Sequence, residues 1–374
     1  MTAQLADDIR SEDATLWSQT RLRGHLPTTL PLIERLPELQ DAQRWRQLSL
    51  AGREWCFAQP ITFTPYASAQ PCSARCRFCS ENLRPSAAGP AAATLRPPAD
   101  YFAGLRRVLR ALVGLPMSWS LSGLENSDDP AWLLQLLESL QSAEAAGCTI
   151  EQRVLYSNGH GLAGPAGDAL IESLRRFGLS WLELSRHHHA ELSNQALMRF
   201  RDGVAVRDNQ TLHGLVARLQ LAFPVKLVCV VQRGGIADAS LLRAYLDWAR
   251  ALGVKAVIFR ELARLDAGYR ANATARYLAA ARVPVANLFA DCLDDASLGA
   301  RLQPRLRTRG YYFSNVVCRF DDDVDVTFEA ADYADMHARH ASGRVYKLVY
   351  FANGELCGGW QPGRDVLWRA HATV

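Results

Sequence analysis

Residues 61–79 read ITFTPYASAQPCSARCRFC. The first seven of them are rich in β-forming side chains and predict a strand. The strand runs into Pro71-Cys72-Ser73-Ala74-Arg75-Cys76-Arg77-Phe78-Cys79, in which three cysteines have the spacing C-x3-C-x2-C. Three thiolates this close, on a loop at the C-terminal end of a strand, can wrap one face of a cubane iron–sulfur cluster. The fourth iron would then lack a protein ligand and could bind a small molecule. A tetrahedral zinc site would want a fourth Cys or His close by, and none follows at the usual spacing.

Downstream, strands and helices alternate. Strand patterns fall at 118–121, 150–157, 179–185, 225–232 and 255–261. Helical patterns fall at 101–113, 130–146, 167–177, 194–201, 211–219 and 239–252, the second opening on Pro130 and the last ending at Gly253. Counted from residue 61, six strands alternate with helices, which predicts a parallel α/β fold. The pattern is equally compatible with an open sheet and a curled partial barrel. In either case ligands are expected beyond the C-terminal strand ends. Residues 86–98 (SAAGPAAATLRPP) read as a loop of small residues and proline. Residues 1–58 read as a mostly helical lead-in, and the core is assigned to 59–265. After residue 265 the rhythm changes to short strands, with a turn at Ala352-Asn353-Gly354, so 266–374 is expected to form a smaller α+β unit.

The chain has 374 residues, 49% of them hydrophobic, and a formal charge of +4. That is enough for a large core, while the small, dispersed charge gives no footprint for nucleic acid. No run of about 20 apolar residues is present, so no membrane helix is expected. The first residues, MTAQLADDIR, lack the features of a secretory signal, and a cytoplasmic location is expected. Nine cysteines, an odd number, argue against a disulfide framework. Lys226, Lys255 and Lys347 are the only lysines in an arginine-rich chain.

With Phe78 before the last cysteine, the C-x3-C-x2-C segment resembles the signature of the radical S-adenosylmethionine (SAM) superfamily. The resemblance covers roughly residues 60–262 and, less closely, the tail. It implies a partial (β/α)6 TIM-like barrel, a [4Fe–4S] cluster on Cys72, Cys76 and Cys79, and SAM bound to the open iron. Reductive cleavage of SAM would give a 5′-deoxyadenosyl radical that takes a hydrogen from substrate. Other cofactor contacts follow motif by motif. Ser122-Gly123-Leu124-Glu125 is similar to a Gly-Gly-Glu-like turn that holds the SAM amino group, with Leu124 where the family has a second glycine. Ser157-Asn158-Gly159 resembles a Thr-Asn-Gly turn. Ser185 and Arg186 end the fourth strand, where the family places polar residues for the ribose or carboxylate of SAM. Gln232, in a strand-then-Gly segment like that of the molybdenum-cofactor and quinone-cofactor maturase branch, is assigned either to ribose or to shaping its loop.

Candidate catalytic residues are His187, His188, Arg260 and Cys357. The run His187-His188-His189 follows Ser185-Arg186, at the expected barrel mouth, where one imidazole could serve as a hydrogen-bond or proton partner. Arg260 and Glu261 are adjacent on a strand and point to opposite sides, so at most one faces the cavity. The segment ending in Cys357 resembles part of the cluster-bearing twitch/SPASM-like tails of the superfamily. A reduced tail without its own cluster is expected, and the alternative is a second cluster on Cys292, Cys318 and Cys357. The functional expectation is an enzyme acting on a small metabolite or natural-product precursor, reduced by a flavodoxin or ferredoxin, with neither nucleic acid nor membrane as partner. The alternatives are a peptide-modifying maturase, an aminocarboxypropyl- or methyl-transferring variant, and a non-catalytic iron–sulfur or zinc scaffold.

Overall fold

The computed structural model describes residues 22, 26, 29–34, 42–83, 96–262, 270–331 and 342–370. Most of the predicted loop at 86–98, and most of residues 1–41, lie outside them.

The first described strands are β1 (Leu32–Glu34) and a hairpin of β2 (Trp45–Leu50) and β3 (Arg53–Ala58). Residues 45–58 are therefore strands, which corrects the expected helical lead-in. The hairpin turns at Ala51 and Gly52, both with positive φ (54° and 74°), the geometry that suits the right-handed twist of paired strands. Burial in Arg53–Ala58 rises along the strand, from exposed Arg53 and Glu54 to buried Phe57 and Ala58, rather than alternating, and sequence reasoning passed the strand over.

β4 (Thr62–Tyr66) starts the barrel. It is followed by α1 (Tyr101–Ala111), β5 (Met117–Leu121), α2 (Pro130–Ala145), β6 (Ile150–Ser157), α3 (Gly167–Phe177) and β7 (Trp181–Ser185). Then come α4 (Glu191–Met198), α5 (Asn209–Gln220), β8 (Val225–Val231), α6 (Ala239–Ala251) and β9 (Ala256–Glu261). Three of the helix starts are set by aspartate caps. Asp129, Asp208 and Asp238 accept backbone N–H groups at the heads of α2, α5 and α6. β4 to β9 lie side by side in sequence order, all parallel. This is the six-strand alternation expected from the sequence, in a partial TIM-like barrel.

The tail continues with α7 (Ala273–Ala281), α8 (Val285–Asp294), β10 (Leu302–Arg309), β11 (Phe313–Phe320), β12 (Val324–Ala331), β13 (Arg344–Val345), β14 (Leu348–Phe351), β15 (Glu355–Cys357) and β16 (Val366–Arg369). β13 joins β3 in a separate three-stranded sheet, but the other strands do not stand apart. β12 pairs in parallel with β9, and β14 pairs in parallel with β4, so the tail adds a parallel strand at each end of the barrel run. Beyond them the sheet goes on through antiparallel β11 and β10 on one side and β15 and β16 on the other. No ladder joins β12 to β14 among the described residues, so the barrel is open there.

Outward faces of the strands carry Phe63, Trp119, Leu155, Leu182, Leu227 and Phe259, all fully buried under the helices. Removing each such side chain from water contributes about 1.5–3 kcal/mol. The inward faces are different. Thr62, Ser118, Ser120, Gln152, Tyr156, Glu183 and Arg260 line a polar lumen. Alternating polar and apolar positions on parallel strands thus build a barrel with an interior suited to a polar ligand rather than to side-chain packing.

Candidate active site

The cysteine loop leaves β4 and crosses the end of α4. Ala74 bridges Phe200, Arg75 N–H donates to Met198 O at 3.0 Å, and Arg77 N–H donates to Leu197 O at 3.0 Å. Cys72, Cys76 and Cys79 all line one cavity of about 750 Å³ at the C-terminal strand ends. Its walls also include Phe78, Glu125, Tyr156, Asn158, Ser185, His187 and Arg260. Burial pushes the Cys72 thiol up to about 12, with Glu125 adding to the effect, and raises Cys76 well above its ordinary value, with Cys79 and Cys72 contributing. The three thiols thus sit close enough to oppose one another's ionisation. Among the described residues, no three His, Cys, Asp or Glu side chains are closed onto a single metal-binding point. The donor set itself, three soft sulfurs on one wall, fits an iron–sulfur group.

The loop is fixed from two neighbouring strand ends. Ser73 N–H donates to Asp128 Oδ2 at 2.6 Å, and Asn158 Nδ2 donates to Ser73 Oγ at 2.9 Å. Asn158 Nδ2 also lies 3.7 Å from Cys72 Sγ. Asn158 therefore borders the cavity and supports the loop. Gly159, at φ 87°, makes the turn, and a Cβ there would come within 2.9 Å of Leu215.

Glu125 is 2% exposed and its carboxylate is already engaged. Oε1 accepts from Ser127 Oγ at 2.6 Å and Ser157 Oγ at 2.8 Å, and Oε2 accepts from Asn158 N–H. Burial, with Asp128 next, pushes it up to about 7. Glu125 thus ties β5 to β6 as well as facing the cavity. Gly123 (φ 113°) and Leu124 (φ 54°) both adopt left-handed backbone. Leu124 takes the conformation that a second glycine would adopt freely. A Cβ on Gly123 would reach 3.0 Å from the Tyr66 ring, and Tyr66 in turn donates to Glu81 at the cavity wall. Ser122 faces the lumen and not the cysteine cavity.

Ser185 and His187 line the cavity, whereas Arg186 between them does not, as strand alternation requires. Arg186 is 1% exposed, donates to Val206 O at 3.1 Å and to Asn209, and burial lowers it to about 10. The expected fork onto a ligand carboxylate is not made from this position. His187 accepts the Val230 N–H at Nδ1 (3.0 Å) and meets Phe78 edge-on at 4.8 Å. Burial, then Arg186 and Arg260, push it down to about 3, so the ring is neutral and carries its hydrogen on Nε2. His188 turns elsewhere, accepting Ala190 N–H at 2.9 Å.

Arg260 faces inward, 3.3 Å from Glu183 and also bonded to Glu329, while Glu261 points outward to Arg282. Gln232 lies outside the cavity. Its amide donates to Val230 O at 3.2 Å and its Oε1 accepts the hydroxyl of Tyr277, which does reach the wall. Cys357 lines neither cavity. It is buried with Tyr66, Val349 and Phe351 in a small apolar cluster, while Cys292 and Cys318 belong to the main core. The three are not gathered: Cys357 stands apart from Cys292 and Cys318.

Sequence reasoning missed Tyr66, Asp128, Tyr156 and Tyr277. Tyr66 carried a signal in its spacing, two residues along from Thr64 and four from Thr62 on its strand.

The chain is similar over part of its length to solved structures of other proteins. One is Streptococcus suis SuiB bound to S-adenosylmethionine (12% identity, 83% of this chain and 63% of that one, TM-score 0.48). Another is coproporphyrinogen III oxidase from Escherichia coli, described as a radical SAM enzyme (12%, 70% and 65%, TM-score 0.40). A third is anSMEcpe with bound AdoMet (14%, 54% and 51%, TM-score 0.41). The chain spans between about half and two thirds of the length of these structures. No protein-family model matches the sequence, and no curated protein does. No helix among the described residues is long and apolar enough to cross a membrane.

Proposed function

We propose that the chain is a radical SAM enzyme acting on a small polar metabolite or natural-product precursor. One observation carries the reading: the C-x3-C-x2-C loop leaves the first strand of a parallel barrel and sets Cys72, Cys76 and Cys79 on one wall of a cavity at the C-terminal strand ends. In this reading the three thiolates hold a [4Fe–4S] cluster, which when bound supplies the electron that cleaves SAM to a 5′-deoxyadenosyl radical. The motif likeness to the molybdenum-cofactor and quinone-cofactor maturases supports proposing a relation to that branch.

The chain's own groups would bind and shield. Ser185, Asn158 and the Nε2–H of neutral His187 offer hydrogen-bonding groups at the cavity wall. Phe78 and Tyr277 exclude water from it. The ion-paired Arg260 sits where the cavity meets the lumen, holding charge in place without a free proton to exchange. At the rim, Arg75, Arg77, Arg199 and Arg201 are exposed around the cysteine loop. That basic ring suits an acidic electron donor of the flavodoxin or ferredoxin class. A cluster of this kind needs a reducing compartment, which favours the cytoplasm.

The test is anaerobic. The protein is reconstituted with iron and sulfide, given SAM and dithionite, and the SAM products are identified by mass. Accumulation of 5′-deoxyadenosine is expected. Methylthioadenosine would indicate aminocarboxypropyl transfer, and S-adenosylhomocysteine methyl transfer. Intact SAM beside a protein shown to hold four irons would overturn the enzyme reading and leave a scaffold.

A further inference from the structure

A second cavity, of about 430 Å³, fills the barrel lumen and shares Tyr156 and Arg260 with the cysteine cavity. It is closed at the open edge of the barrel by the turn between β10 and β11. There Tyr311 stacks on Tyr346 with ring centroids 5.0 Å apart and planes at 26°. On the strands Arg260 lies between Glu183 and Glu329, one cation against two carboxylates. Lys347 stands apart from this group. It lines the same cavity, is 4% exposed, donates to Thr62 Oγ1 at 3.0 Å and sits 4.2 Å over the Trp360 ring. Among the described residues no carboxylate pairs with it. The other two lysines differ. Lys255 is exposed and paired with Asp323, and Lys226 lies over Trp181 within the influence of Glu183, Asp325 and Glu329.

A buried cation held only by a hydroxyl and an aromatic face leaves donor capacity and charge unmatched. We infer that Lys347 is a specificity-determining residue whose ammonium receives the carboxylate of a small polar substrate lodged in the lumen cavity. Its role as a substrate site rests on the proposed radical SAM reading. The neighbouring Glu183 and Glu329 select the class. They disfavour a phosphate dianion, tolerate a single negative charge, and accept from hydroxyl or amino groups on the rest of the ligand. The tyrosines and Trp360 form the apolar-faced walls that a compact ligand needs. Burial pushes Lys347 down to about 7, so near neutrality the amine is divided between its two forms. A bound carboxylate favours the charged one.

The full chain tests this without any SAM turnover. Because there are three lysines, isotope-labelled lysine gives three side-chain resonances. Lys226→Met and Lys255→Met assign them by elimination. The probes are acetate and inorganic phosphate. Acetate is expected to move the Lys347 resonance saturably, leave the other two in place, and bind about tenfold or more tightly than phosphate. Acetate is also expected to raise the melting temperature of the native protein and of Lys347→Arg, but not of Lys347→Met. A Lys347 resonance indifferent to acetate would overturn the inference, as would tighter binding of phosphate. SAM cleavage without acetate binding removes this inference alone. Acetate binding without SAM cleavage removes the enzyme reading and leaves Lys347 as a carboxylate site without a substrate role.

Discussion

The side-chain amide of Asn158 stands 2.9 Å from the hydroxyl of Ser73, so the turn that ends one barrel strand holds the middle of the cysteine loop. The same amide lies 3.7 Å from Cys72 Sγ, and its carbonyl accepts the His160 N–H at 2.9 Å. Asn158→Ala leaves Ser73 Oγ without this donor and is expected to cost about 1–2 kcal/mol of stability. It should also shorten the lifetime of the reconstituted iron–sulfur absorbance in air. Asn158→Asp keeps the size but loses the donor, and should behave like the alanine variant. Denaturant titration and visible spectroscopy measure the two effects.

Iron content separates the clustered cysteines from the scattered ones. Cys72→Ala, Cys76→Ala and Cys79→Ala are each expected to bring iron after anaerobic reconstitution close to background. Cys292→Ser, Cys318→Ser and Cys357→Ser should retain it, because these thiols are buried in apolar surroundings away from the cavity. Retention of four irons by the Cys76→Ala protein would refute the assignment of the cluster to this loop.

His187 makes stability depend on pH. Its folded form is pushed down to about 3 from 6.5, so below the unfolded value the unfolded chain binds the extra proton. Stability from this group is therefore full above about pH 6.5 and is lost as the pH falls toward 3. At about pH 5 the loss relative to neutrality is of order 2 kcal/mol. His187→Gln has no titrating ring and is expected to flatten the stability profile between pH 5 and 7, roughly by that amount. Equilibrium unfolding at several pH values would show it, and an unchanged slope would count against the neutral, Nδ1-accepting ring.

Electron delivery should depend on the arginine rim. Arg199→Glu and Arg201→Glu place acidic groups beside the cysteine loop, and about tenfold slower reduction by a flavodoxin-class donor at low salt is expected. The native rate should fall as salt is added, by screening over about 10 Å. Reduction by a small cationic viologen has no acidic surface to dock and should not slow. Equal rates for native and variant proteins with the protein donor would remove the docking role.

The parallel core was legible because its period is local. The 150–157 strand and the 167–177 helix were read with their exact bounds, since the apolar faces of these elements meet one common layer. The hairpin at 45–58 was not legible, because it is short, half-exposed and paired by β13, which lies almost 300 residues away in sequence. At the site, residue type and position beyond a strand end picked out Cys72, Cys76, Cys79, Asn158, Ser185 and His187. Arg186 was misassigned although the alternation rule was available: Ser185 faces inward, so its neighbour faces out. Cys357 carried no local signal of its surroundings, which come from Tyr66, Val349 and Phe351 on strands that meet only in the folded sheet. Lys347 was noticed as a rare lysine, but its burial beneath Trp360 depends on contacts that no local pattern encodes.

β12 and β14 complete the parallel run from opposite ends, although both belong to the last fifth of the chain. The barrel is therefore bracketed like a cask by its final two staves. Cutting the chain after residue 262 would strip neighbours from both β4 and β9 at once and lay the polar lumen open along its length. Tail and barrel should consequently melt in one transition, and a truncated core would be a sheet with two raw edges prone to self-association rather than a smaller working enzyme.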